Sequence, residues 1–124
     1  MLALYESYNR RGTDAILPFV DPAVEWSDPP ELIDGGREHG HDGVRRGLAR
    51  WTRQWDEYRI DPVEFLDAGL GRMLVCCRQR GRGEGSGVVV ESDLFMVWTL
   101  DNAKAVEMRM FFDRDQALRA LRPE

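Results

Sequence analysis

Cysteine, lysine and histidine are scarce in this chain, and it has no long apolar run. Only Cys76 and Cys77 are present. Neighbours on a strand face opposite ways and rarely bridge each other, so the pair reads as reduced core thiols rather than a disulfide or a metal site. The two histidines, His39 and His41, sit in a Gly-rich stretch that lacks a fixed geometry for ligation, so no metal and no other cofactor is expected. No segment approaches the roughly 20 apolar residues of a membrane span, which predicts no membrane partner. At the N-terminus, Glu6 interrupts what would be the apolar run of an export signal and no basic leader precedes it, so the expected compartment is the cytoplasm. Lys104 is the one lysine, and 17 basic against 22 acidic residues leave a net charge of −5. That balance argues against nucleic acid as a partner, which would demand a basic stripe. The run Arg78, Arg80, Arg82 is a local exception, readable as a grip for an anion or as a solvated strand edge protected by charge.

The 124 residues, 43% hydrophobic and 31% charged, predict one domain over 1–124 with a core of its own. Residues 1 to about 10 read as a helix with Leu2, Tyr5 and Tyr8 on one side, closed by Arg10-Arg11-Gly12. Thr13 caps a second helix whose apolar side is Ile16, Leu17, Phe19 and Val20, and Pro18 ends it. A strand follows over 21–30, then a loop over 31–40, then a long helix over 43–58 capped by Asp42. Along that helix Val44, Leu48, Trp51, Trp55 and Tyr58 recur at spacings of four and three, one continuous apolar stripe. The second half predicts strands over 60–68, 73–80, 88–100 and 104–112 as an antiparallel meander, with Asp113 capping a final helix. Helices, then strands, then one closing helix make an α+β plan, helices covering one side of a curved sheet.

Asp28 is the candidate for chemistry. At period two, Val24, Trp26 and Asp28 share a face, so a carboxylate lies beside a Val and a Trp. A lone acid at the edge of an apolar cavity is pushed toward its neutral form, with a raised pKa suited to a general base. The plain alternative is a turn, since the residue before proline is held extended and Asp before Pro29-Pro30 is ordinary turn chemistry. His41 is a candidate proton shuttle at the pocket mouth or simply a helix-entry residue, and Tyr8 is either a hydrogen-bond donor to a ligand or packing. Trp26, Trp51, Trp55, Met96, Trp98, Met108, Met110 and Phe112 are the candidate substrate-binding wall. At these positions the alternative is core.

The sequence Val24-Glu-Trp-x-Asp-Pro-Pro, the segment Gly40-His-Asp-Gly-Val-Arg45, the Trp-bearing helix and the ending Val97-Trp-Thr-Leu-Asp followed by Lys104, Val106, Phe111 and Asp113-Arg114 come in a telling order. The chain resembles the SnoaL-like branch of the nuclear transport factor 2-like superfamily over nearly its whole length. The resemblance implies a cone-shaped α+β barrel with a deep apolar pocket, no cofactor, and a homodimer through the sheet's outer face. It implies cofactor-free proton transfer on an apolar cyclic molecule, of isomerase or polyketide-cyclase type, with Asp28 matching the Asp-Pro base of the ketosteroid isomerases. Other members have no chemistry, so an apolar ligand-binding module is the second expectation. The isomerases' second Asp falls here on Met96 or Val97. The cyclases' last-strand acid falls on Met108 and Met110.

Overall fold

The computed structural model describes residues 1–32, 35–53 and 55–122. Helix α1 (Leu2–Arg11) leads into a 3-10 segment (Thr13–Phe19), and strand β1 (Val20–Ser27) and the short strand β2 (Arg37–His39) follow. Helix α2 (Gly40–Thr52) precedes four long strands, β3 (Trp55–Gly69), β4 (Arg72–Gly83), β5 (Val89–Asp101) and β6 (Lys104–Phe111). Helix α3 (Arg114–Leu121) ends the chain. The strands form one sheet in the order β2-β1-β6-β5-β4-β3. The meander β3 to β6 is antiparallel throughout, as its turn-separated runs predict, and β1 joins it parallel to β6.

Period-two alternation sorts the sheet into two faces with separate cores. Leu94, Met96 and Trp98 of β5 and Met108 and Met110 of β6 point inward against α1 and α2, joining Tyr5, Trp26, Val44 and Leu48. Leu74, Cys76, Phe95, Val97 and Phe111 point outward, where Ala117 and Leu121 of α3 cover them. Cys76 and Cys77 fall one on each side and both are free thiols. Asp113 caps α3, its carboxylate accepting from the Gln116 amide at 3.0 Å.

Three local differences from the sequence reading have physical causes. On α1 it is Leu4 and Tyr5 that are buried, while Leu2 is half exposed. The stretch 31–40 contains β2, because Arg37 to His39 complete the ladder beside Ser27 to Glu25. The long helix stops at Thr52, and Trp55 and Tyr58 belong to β3. That strand carries an irregularity between Asp56 and Arg59, with Glu57 in the left-handed region at φ 54°. The inserted residue puts Trp55 and Tyr58 three apart on one face, a spacing that imitates a helical stripe. Asp42 lies inside the first turn of α2, whose cap position is His39.

Candidate functional site

Two spaces lie on the inner side of the sheet, and Trp51 borders both. The deeper is a void of about 30 Å³, room for one or two waters and far below the roughly 300 Å³ at which ligand pockets begin. The deep hollow implied by the resemblance is filled by the chain's own side chains. Trp26 and Trp98 meet edge to face with ring centroids 5.8 Å apart, and Tyr5 meets Trp98 likewise at 6.2 Å. The Trp98 indole donates to the Tyr5 hydroxyl at 2.9 Å, and that hydroxyl donates to the Met96 sulfur at 3.2 Å. Burial pushes the Tyr5 phenol well up from its ordinary value, and the Tyr8 phenol, also on the void, up to about 12. Met108 is fully buried and lies outside the void's lining.

The second space is a cleft of about 760 Å³, open to solvent and of a size for a drug-like molecule. Its apolar walls are Leu32, Trp51, Trp55, Val90 and Phe112. Trp51, in the last turn of α2, stacks on Phe112 at 5.9 Å with planes 27° apart. Trp55 reaches the cleft across β4, where Gly81 leaves it space. A Cβ on Gly81 would lie 2.8 Å from the indole, closer than real Cβ contacts come.

Polar groups stand at two ends of the cleft. At one, Gln79 Oε1 accepts from the Tyr58 hydroxyl at 2.6 Å and from the Trp51 indole at 3.2 Å, while its Nε2 donates to Ser92 Oγ at 3.0 Å. Burial raises the Tyr58 phenol, the Trp51 hydrogen bond opposing it. At the other end is Asp28, just past β1, with its side chain 2% exposed. Gly47 of α2 positions this end: a Cβ there would meet the Trp26 indole at 3.0 Å, so the bare backbone lets α2 lie close on β1. One turn along the helix, Arg50 then falls over Asp28, two residues beyond Trp26.

Asp28 is thus not the lone acid the sequence suggests. Arg50 donates to its Oδ2 through Nη2 at 2.7 Å and Nε at 3.2 Å, and to Glu38 Oε2 through Nη1 at 2.9 Å. The Asp28 bonds first, then the Glu38 bond, push the Arg50 guanidinium up, and Arg50 and then Arg46 hold the Glu38 carboxyl below its usual range. Oδ1 of Asp28 is buried without a hydrogen-bond partner among the described residues, as is the Trp26 indole nitrogen. His41 lies elsewhere. Its Nε2 is 2.8 Å from the Val20 carbonyl, outside the linings of void and cleft.

Asp28, Trp51, Trp55 and Phe112 therefore meet at the cleft, whereas Trp26, Met96, Trp98, Met110 and Tyr8 meet at the void. Arg50, Gln79 and Ser92 are cleft residues that the sequence reading passed over. Signals for two of them exist. Arg46 and Arg50 are four apart on one helical face, and Gln79 is a polar residue in phase with the inward Val75 and Cys77. The Arg78, Arg80, Arg82 run faces carboxylates: Arg78 pairs with Asp93 at 2.9 Å, and Arg80 and Arg82 pair with Glu91 and Glu57. β4 is flanked by β3 and β5, so the run lies on the exposed face of an inner strand and not on a strand edge, which corrects the edge reading.

An open six-stranded curved sheet wrapped over helices is the architecture of the nuclear transport factor 2-like fold. The model of the SnoaL-like domain family matches residues 1–108, and the chain belongs to that family. Among solved structures, it is similar to TerC, co-crystallised with polyporic acid, at 29% identity and TM-score 0.78, covering 97% of this chain and 92% of that one. It is equally close in fold to a nuclear transport factor 2-like protein of unknown function from Burkholderia pseudomallei K96243, at 28% identity, TM-score 0.78, and the same 97% and 92% coverage. A protein described as a SnoaL-like polyketide cyclase from Jannaschia sp. CCS1 shares the fold at 18% identity and TM-score 0.75, with 99% and 90% covered. No curated protein matches the sequence. No helix among the described residues is long and apolar enough to cross a membrane.

Proposed function

We propose that this chain binds an apolar, ring-bearing small molecule in the cleft rather than in the void, and that Asp28 Oδ1 takes a hydrogen bond or a proton from it. The observation that supports the reading is the division of labour on one carboxylate of a residue that borders the cleft: Arg50 occupies Oδ2, and Oδ1 is buried without a partner among the described residues. A buried acceptor without a donor costs free energy, and a ligand O–H or acidic C–H would recover it. The aromatic walls would exclude water and strengthen that contact. Proton transfer without a cofactor, of isomerase or polyketide-cyclase type, is the finer form of the proposal. Trp51, Trp55 and Phe112 hold the ring, and Gln79 and Ser92 face its far end.

Binding without turnover is the second reading. It is favoured by Arg50, which already holds the Asp28 charge in place. Because TerC was co-crystallised with polyporic acid, that compound is the first probe. Titration should quench the fluorescence of Trp51 and Trp55 saturably, and Trp51→Ala should weaken binding. Asp28→Asn should then retain affinity but lose solvent-deuterium incorporation into a bound C–H acid if Asp28 moves a proton. An Asn variant that exchanges deuterium as the parent does removes Asp28 as base. Absence of saturable quenching by polyporic acid and by whatever co-purifies with the protein removes the cleft as a site. The homodimer through the sheet's outer face belongs to the same proposal.

A further inference from the structure

At the other edge of the sheet, β2, β1 and β6 lie side by side, with Ser27 opposite Arg37 on one neighbour and opposite Arg109 on the other. Directly opposed residues on adjacent strands point to the same face. Ser27 alternates with the inward Trp26, so the three side chains leave the sheet on its outer side. They border one recess of about 320 Å³, rimmed by Pro29, Pro30 and Gly36.

Two cations across a hydroxyl repel unless something negative sits between them. Among the described residues neither guanidinium is in an ion pair, although the chain carries 22 acids and matches arginines elsewhere, Arg46 on Glu38 and Arg78 on Asp93 for example. Among the described residues, the acids in the neighbourhood are engaged or stand one row away. Asp28 borders the recess, but its Oδ2 is bonded to Arg50. Glu25 is bonded to His39 at 2.9 Å, and Glu107 stands beside Glu25 in the next row. Arg109 is also held in place, its guanidinium 5.2 Å from the centroid of the Phe111 ring, which itself borders the recess. A cation fixed by its own aromatic neighbour loses less freedom on binding. With strands about 4.8 Å apart, Arg37 and Arg109 start roughly 10 Å from each other, a span their side chains can close on one small anion.

We propose that this recess binds the oxyanion group of a small molecule, a phosphate or a carboxylate, through charge-assisted hydrogen bonds from Arg37 and Arg109 and one from the Ser27 hydroxyl. Ser27, Arg37 and Arg109 line no part of the cleft, although Asp28, Leu32 and Gly35 border both spaces, and the proposal stands whether or not the cleft reading holds.

Inorganic phosphate and succinate are the probes, each titrated at constant ionic strength into the full chain while amide shifts of Ser27, Arg37 and Arg109 are followed by NMR. A saturable response to either supports the site, and the tighter probe names the group. Arg37→Gln and Arg109→Gln should each weaken binding about tenfold or more, the worth of one charge-assisted contact. Ser27→Ala should weaken it less, and Arg11→Gln on α1 should leave it unchanged. All four are surface changes compatible with folding, which the dispersion of the spectrum checks directly. Shifts that never saturate, or that survive undiminished when both arginines are replaced, overturn the proposal.

Discussion

Replacing Arg50 by methionine should cost more stability than replacing its partner Asp28 by asparagine, and the gap should narrow in acid. The two ends of the pair differ in surroundings: the Asp28 side chain is 2% exposed and that of Arg50 is 26% exposed. Removing the guanidinium strands a carboxylate that water reaches poorly and whose other oxygen already lacks a partner among the described residues. Breaking a buried pair from that side costs about 3–5 kcal/mol, and the open cleft beside it argues for the low end, about 3 kcal/mol. Asp28→Asn instead leaves a guanidinium that still reaches solvent and Glu38 Oε2 at 2.9 Å. The expected cost is about 1 kcal/mol, one hydrogen bond's net worth. For a chain of 124 residues, a loss of about 3 kcal/mol lowers Tm by roughly 10 °C and the urea midpoint by roughly 1–2 M.

Urea unfolding followed by tryptophan fluorescence at pH 7 and again near pH 4 reads both effects. The Arg50→Met variant lacks one of the two guanidiniums that hold the Glu38 carboxyl low. In acid the parent loses the contribution of Glu38, whose carboxyl Arg50 and Arg46 hold low. A group depressed on folding stabilises above the ordinary carboxylate range, and that stability is lost as pH falls through its lowered value. That loss is larger in the parent and in Asp28→Asn, which keep Arg50, than in Arg50→Met, so the gap between the variants narrows. An asparagine variant as unstable as the methionine one, or a gap that stays constant from neutral pH to acid, would refute the argument.

Burial raises the Cys77 thiol to about 12, so in the folded chain it should resist iodoacetamide at mildly alkaline pH and react only as fast as the protein opens. Because its folded value lies above the unfolded value of about 8.5, the stability it contributes is complete below that pH and lost as pH rises toward about 12. Cys77→Ala should therefore show a shallower alkaline fall in urea midpoint than the parent, and an equal slope would count against the assignment. The proposed homodimer should appear as twice the chain mass in sedimentation equilibrium. A parent protein that sediments as a monomer at high concentration removes it.

The α+β plan was legible because it rests on local physics. Inward and outward residues of β5 and β6 alternate, Asp113 stands where a cap must, and Gly and Asn-bearing turns separate the runs. Trp26 and Asp28 shared a face on paper as they do in the fold. What misled was also local: the insertion at Glu57 gave Trp55 and Tyr58 a helix-like spacing, and only pairing with β4 made that segment a strand. The three residues of β2 are too few to carry a pattern, and they are strand only because β1 lies beside them.

The residue chemistry of the site was therefore decided by the sequence and its accessibility by the tertiary structure. Tryptophans and methionines lining an inward face are the same letters whether they enclose a ligand or touch each other. Interhelix and intersheet distances make the difference, and here those side chains meet and leave about 30 Å³. Likewise, nothing in the linear order pairs Asp28 with Arg50, 22 positions further on. That contact exists because Gly47 lets α2 settle onto β1, and it turns an isolated acid into one with a single oxygen left without a partner among the described residues.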